Sequence, residues 1–411
     1  MALIGAHLIE VGHGVVMLTD EDHRHVVERS GLTFEQLDPA ACVRSPAAPS
    51  KVGRLLPDLL RRYFLGRSDI RSTFIGPLVP QYRSLKNAVD AHAADAVLVD
   101  VAFTGVLPLL AAAPRPAVLV CGVGPITLTS ADTAPFGMAW QPRVGMDYRG
   151  MHTVVNRILF RDIEKEFTEA LREVGGHCPV PLMDWPRLAD RLVQLTVPDF
   201  EYPRRDLASN VDFVGPVLPD IDAEFDEPPW WNDVIGARTV VHVTQGTLDN
   251  GDLDQLVGPT LEAFAGLDDV AVVATTGRRT GQRASFGVPP NARVVEWLPY
   301  SALLPHVDVM VTNGGYGGVH QALSYGVPVV VAGESADKAE VAARVAYTGA
   351  GVDLKTAQPN PHQIADAVSS IDGDHRDAAG RLSDQIRQTT PLQTIADVLA
   401  EELLAQSTAG R

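Results

Sequence analysis

The sequence predicts an α/β protein of two doubly wound domains facing each other across a cleft, and three observations support this. The chain has 411 residues, more than a single hydrophobic core ordinarily serves, so two domains are expected. Its second half alternates short β-branched apolar runs with amphipathic stretches, the pattern of a parallel sheet covered by helices. Between the halves, residues 219–232 hold three prolines, five acids and the pair Trp230-Trp231, a composition that resists packing and reads as a connection. The tryptophans are expected to pack against a domain wall. The expected boundaries are 1–217 for the first domain, 218–236 for the linker, 237–388 for the second domain and 389–411 for a closing helix.

The first half opens on a helix. Leu3, Ile4, Leu8, Ile9 and Val11 recur at helical spacing, so 2–11 reads as a helix ended by Gly12, feeding a strand over 14–18 with no strand before it. A helix over 21–31 and a strand over 32–37 follow. Residues 40–49, rich in Ala and Pro, read as loop, and 52–63 and 78–93 as amphipathic helices. The run 95–100 is a buried strand ending on an acid. Ligands of open parallel sheets sit beyond the carboxyl ends of strands, so Asp100 is placed to face the cleft. Strands over 117–121, 192–196 and 211–214, with a charged helix over 157–174, complete this half.

The second half is more regular. A strand over 239–244 runs into Gln245-Gly246-Thr247, and a helix is expected over 253–265. A strand over 270–274 ends in Thr275-Thr276-Gly277, and one over 293–296 leads to Trp297. The stretch 309–331 is the centre of the pattern. Its apolar run 309–312 reads as a buried strand, four glycines follow within five residues (Gly314, Gly315, Gly317, Gly318), and 319–325 reads as a helix stopped by Gly326 and Pro328. A strand that turns through glycines onto a helix N-terminus offers backbone N–H groups beside the positive end of a helix dipole, which favours phosphate. Glycines at 317 and 318 carry no Cβ to hold an anion away. The alternative is a tight turn that binds nothing. Helices over 339–348, 361–371, 376–387 and 391–405 follow.

Composition narrows the function. A net charge of −17 argues against nucleic acid or an anionic membrane as the main partner, beyond peripheral contact, while leaving room for one phosphate pocket built from amides. Three widely spaced cysteines, Cys42, Cys121 and Cys178, suggest neither a disulfide framework nor a zinc site, and are expected to be reduced and buried. No metal-ligand motif stands near the glycines. With no secretory signal and no apolar run long enough to span a bilayer, a cytoplasmic location is expected, as monomer or homodimer.

The central motif, with 295–306 upstream and 332–344 downstream, resembles the donor-nucleotide signature of family-1 glycosyltransferases, inverting enzymes with two Rossmann-like domains in the GT-B arrangement. The likeness is strongest to the bacterial macrolide and natural-product branch. It implies a hexosyltransferase that moves a hexose from a UDP- or dTDP-sugar to a hydroxyl of a hydrophobic small molecule or lipid, without metal or cofactor. It also implies that the last helix crosses back to the first domain. In this likeness Gly315, Gly317 and Gly318, with Gly246 and Thr247, meet the diphosphate. Asn313 stands where the family usually has a histidine and brings no positive charge. Trp297 and Leu298 take the nucleoside base, with core packing as the alternative for Trp297. Gln321 occupies the position of a ribose-binding glutamate. Asp337 faces sugar hydroxyls, and Lys338 replaces a glutamine, free to pair with Glu334, Glu340 or a phosphate.

The family's general base is a histidine after the first strand, oriented by an acid that Asp100 matches. Aligning His13 with a non-catalytic histidine of the family places Met1 just beyond the segment that carries the base. The sequence therefore reads as an N-terminally truncated enzyme, with Met1 an internal methionine, unpaired neighbours around a missing strand, and impaired transfer. A nucleotide-sugar-binding protein without catalysis is the alternative, and an epimerase or hydrolase of nucleotide sugars a third reading.

Overall fold

The computed structural model describes residues 1–43, 66–219, 225–247, 249–277, 282–334 and 337–409. The helix expected over 52–63 and most of the loop over 40–49 lie outside them. Among the described residues twelve strands form three sheets. In the first half β1 (Val16–Thr19) pairs only with β2 (Thr33–Gln36), while β3 (Ala96–Asp100), β4 (Ala117–Gly122), β5 (Arg191–Gln194) and β6 (Val211–Phe213) form a second sheet in that order. β1 and β3 end separate ladders. In the second half β7 (Thr239–Thr244), β8 (Val270–Thr275), β9 (Ala292–Val295), β10 (Val309–Thr312), β11 (Val329–Val331) and β12 (Gly351–Asp353) pair in the order β12-β11-β10-β7-β8-β9. Every pairing is parallel.

The reason is composition. β7, β8, β10 and β11 are runs of Val with Ala, Met and Thr, and in β7 the buried His242, covered on both faces, as strands of a helix-covered parallel sheet must be. Val241, Val243 and Val311 face one helical layer and Val240, Met310 and Val329 the other. Trp231 is buried in this second layer and Trp230 packs against it. The chain leaves β7 for β8 and β9 on one side, then crosses to β10, β11 and β12 on the other. The switch therefore lies between β7 and β10, where a crevice opens at the strands' carboxyl ends.

Some elements are shorter than periodicity suggests. The expected helix over 253–265 divides into a 3-10 turn (Leu253–Gln255) and a helix (Val257–Ala263), and that over 157–174 divides between the end of a π-helical turn (Val155–Leu159) and a helix (Arg161–Glu173). Cys121 is buried, but Cys42 and Cys178 are only half-buried, and among the described residues no disulfide joins any of them. Among the described residues no helix is long and apolar enough to cross a membrane.

The two halves are joined by polar as well as apolar contacts. The last helix (Pro391–Ala409) lies on the first-half sheet, with Ile395 and Leu399 buried against Leu119, Cys121 and Val193, and with Glu402 accepting from Arg191 at 2.6 Å. Ile4 and Leu8 of the first helix (Ala2–Glu10) close the same cluster. Arg344 bridges Glu201 of the first half (2.9 Å) and Glu340 of its own helix (2.9 Å), with all three side chains essentially without solvent. Glu340 also accepts the amides of Gly137 and Ala139, each at 2.8 Å. Burial alone would lower the Arg344 guanidinium, but the two carboxylates outweigh it and hold the charge.

Candidate active site

At the switch point lies a cavity of about 1250 Å³, lined from the second half by the β7 and β10 turns and from the first half by Leu3, His7, Val123 and residues 216–219. Every residue expected to meet the donor borders it: Gly246, Thr247, Trp297, Leu298, Asn313, Gly315, Gly317, Gly318, Gln321, Asp337 and Lys338.

The glycines divide by task. Gly314 takes φ +85, and an added Cβ would lie 2.7 Å from Val331, so its role is the turn itself. At Gly333 an added Cβ would strike the Asn313 carbonyl oxygen at 2.2 Å. Gly317 differs, because nothing lies within 4 Å of its Cβ position. It stands in the first turn of the helix Tyr316–Ser324 capped by Gly315, where backbone N–H groups lack helical partners. The space at Gly317 opens into the cavity, as an anion site would require.

Helical spacing then splits this helix into two faces. Gly317, Gly318, Gln321 and Ser324 border the cavity. Tyr316 also borders it, yet it is buried with His320 against the first half. Gln194 Nε2 donates to the Tyr316 hydroxyl at 3.0 Å and to the Gly124 carbonyl at 2.7 Å. His320 Nδ1 donates to the Tyr316 carbonyl at 2.8 Å, which leaves Nε2 to accept from the Thr196 hydroxyl at 2.6 Å. Burial pushes His320 down to about 4, so it is neutral near pH 7. Sequence reasoning missed these pins because Gln194 and Thr196 lie 122 and 124 residues away.

Other side chains acquire definite tasks. Asn313 Nδ2 donates to the carbonyls of Gln245 (2.7 Å) and Asp249 (3.2 Å), so its amide protons bind the β7 loop to the β10 turn. Asn313, at the position of the family's histidine, thus ties the two loops together. Trp297 is 52% exposed on the cavity wall, which rules out the core-packing alternative, while Leu298 is buried beside it. Lys338 pairs with Asp249, a partner absent from the sequence-based set of Glu334, Glu340 or phosphate. Asp249 also borders the cavity and was not foreseen.

The carboxylates come from opposite sides. Asp337 faces the loop after β4, its Oδ2 3.4 Å from the Cβ position of Gly124. Burial raises its pKa, and the nearby Asp100 carboxylate raises it further. Asp100 ends β3, accepts the Ala102 amide at 2.7 Å and is itself raised by burial. Asp100 is not among the residues that line the cavity.

Comparison with known proteins gives this arrangement a lineage. Residues 259–401 match the family described as erythromycin biosynthesis protein CIII-like, C-terminal domain. The chain is 34% identical over 381 residues to 4'-demethylrebeccamycin synthase of Lentzea aerocolonigenes, covering 90% of this chain and 88% of that protein. It is 33% identical over 423 residues to UDP-glycosyltransferase 2 of Phaeomoniella chlamydospora, covering 98% and 92%. Among solved structures, the kitacinnamycin glycotransferase superimposes with TM-score 0.73 at 21% identity, covering 98% of this chain and 95% of that one. A spinosyn rhamnosyltransferase complexed with thymidine diphosphate gives 0.62 at 20% identity, covering 97% and 95%. Full-length similarity at this identity, on a cavity at the switch point of a doubly wound domain, establishes that the chain belongs to the natural-product branch of the family-1, GT-B-fold glycosyltransferases.

Proposed function

We propose that the protein transfers a hexose from a UDP- or dTDP-sugar to a hydroxyl of a hydrophobic small molecule or lipid, with inversion and without a metal ion. The observation that supports this best is the open face of the helix Tyr316–Ser324, where Gly317 leaves room for an anion at a helix N-terminus. Gly246 and Thr247 approach from the neighbouring strand end, Trp297 offers a ring to the base, and Gln321 lies one turn along for the ribose. The relatives' names, UDP-glycosyltransferase in one case and a complex with thymidine diphosphate in another, agree with both donor classes.

In this reading the acceptor hydroxyl gives up its proton to a base or to water as its oxygen bonds to the anomeric carbon opposite the diphosphate. The bond from that carbon to the β-phosphate oxygen breaks, and its electron pair leaves with the nucleoside diphosphate. Amides and the helix dipole hold the charge that develops, and they are most effective in a site closed to water. Asp337 orients sugar hydroxyls, and Asp100 is the acid that would orient a base on the acceptor side. A second reading, nucleotide-sugar binding without transfer, is favoured by one observation: among the described residues no histidine hydrogen-bonds Asp100, whose carboxylate accepts from Ala102. Incubating the chain with UDP- and dTDP-hexoses and a panel of phenolic and macrolide acceptors separates the two. Glycosylated product of inverted anomeric configuration supports transfer. Tight nucleotide binding with no product on any acceptor supports the second reading.

A further inference from the structure

Lys338 stands against the glycine turn. It opens the helix Lys338–Thr348, and its Cβ lies 3.6 Å from the Cβ position of Gly314 and 2.8 Å from that of Gly333. Side chains at either position would crowd the lysine stem, so both glycines bring it close. Its ammonium reaches across to the carboxylate of Asp249 on the β7 loop. Lys338 is 12% exposed and Asp249 62%. Both border the cavity beside Gly246, Thr247, Gly317 and Gly318. The Asp249 backbone is held in turn by Asn313, whose amide donates to its carbonyl at 3.2 Å.

A nucleoside diphosphate brings at least two negative charges to this turn, and more charge collects on the β-phosphate as the glycosidic bond breaks. Asn313 is neutral and already engaged. Among the described residues, the other charged base in the lining, Arg387, is 62% exposed and paired with Asp384 on its own helix. Among the described residues Lys338 is thus the charged base of the lining that stands at the glycine turn. An ion pair with one exposed partner is weak in water, and an ammonium on a flexible stem changes partners without backbone movement. We propose that Lys338 is the cation that meets the leaving diphosphate, and that Asp249 holds the ammonium until the nucleotide arrives. The proposal rests on the reading of Gly317 and Gly318 as diphosphate amides.

The two partners then act with opposite signs. Lys338→Met, which keeps the straight stem, lowers affinity for UDP or dTDP about tenfold. Asp249→Asn removes the competitor and raises it about threefold. Affinity for uridine or thymidine, which carry no phosphate, stays within twofold in both variants. Calorimetry on the full chain, with thermal unfolding to confirm that each variant is folded, reads all four values. Parallel losses in both variants, no change in either, or equal changes for nucleoside and diphosphate would overturn the proposal. Gly317→Val serves as the reference. If it abolishes diphosphate binding while Lys338→Met and Asp249→Asn do nothing, only this proposal falls. If Gly317→Val binds normally, the donor-site reading falls and this inference with it.

Discussion

Gly317→Val separates a glycine required for a ligand from one required for the fold. Its Cβ position has no neighbour within 4 Å and its φ lies outside the left-handed region, so the added side chain meets only cavity. Stability should therefore hold or rise slightly, because glycine within a helix is disfavoured relative to valine by a few tenths of a kcal/mol. Binding should fall. The valine methyls fill the space in which a phosphate oxygen would approach the amides of the first turn, and a hydrogen bond to a charged group contributes about 1.5–3 kcal/mol. Losing one such bond lowers affinity for UDP or dTDP by roughly tenfold to a hundredfold. Gly314→Ala is the contrast, since φ +85 and Val331 at 2.7 Å make it costly to the fold before any ligand is added. Calorimetry and thermal unfolding on both variants test the distinction. A folded Gly317→Val protein with wild-type nucleotide affinity would refute the assignment of this helix end to the diphosphate.

Three further outcomes follow from the same geometry. Nucleotide affinity should be the same with EDTA as with magnesium or manganese, and a chelator that abolished binding would show that amides and dipole do not suffice. Arg344→Met leaves Glu201 and Glu340 buried without their cation, so urea unfolding should show a loss of about 3–5 kcal/mol; a change below about 1 kcal/mol would mean that the network is not what joins the halves. For pH, burial holds both His320 and His242 down to about 4. Below about 6.5 the unfolded chain takes up protons that the fold refuses, so stability is full above that pH and declines toward pH 4, by of order 3 kcal/mol for each histidine. Asp100 and Asp337, raised by burial, act in the opposite direction. His320→Asn should flatten the decline between pH 6.5 and 4.5 seen by urea unfolding, and an unchanged slope would remove His320 from the account.

Much of this protein was legible in its sequence because the information is local. Val309–Thr312, the glycines after it and the helix that follows declare strand, turn and helix through apolar runs, missing Cβ atoms and a stop at Gly326. The same pattern marked Gly317 and Gly318 as cavity residues before any coordinates. Asp100 was placed at a strand end for the same reason, and it ends β3, although it is not among the residues lining the cavity. Tertiary structure alone decided what depends on distant partners. Strand order set the switch between β7 and β10, and with it which turns face each other. Asn313 became a scaffold because the carbonyls it meets belong to residues 68 and 64 positions away. Lys338 found Asp249 across 89 residues, and Arg344 found Glu201 across 143. Periodicity describes which face of an element is buried, but says nothing about which charge or carbonyl another element will present there. That choice is made only when the sheets pack.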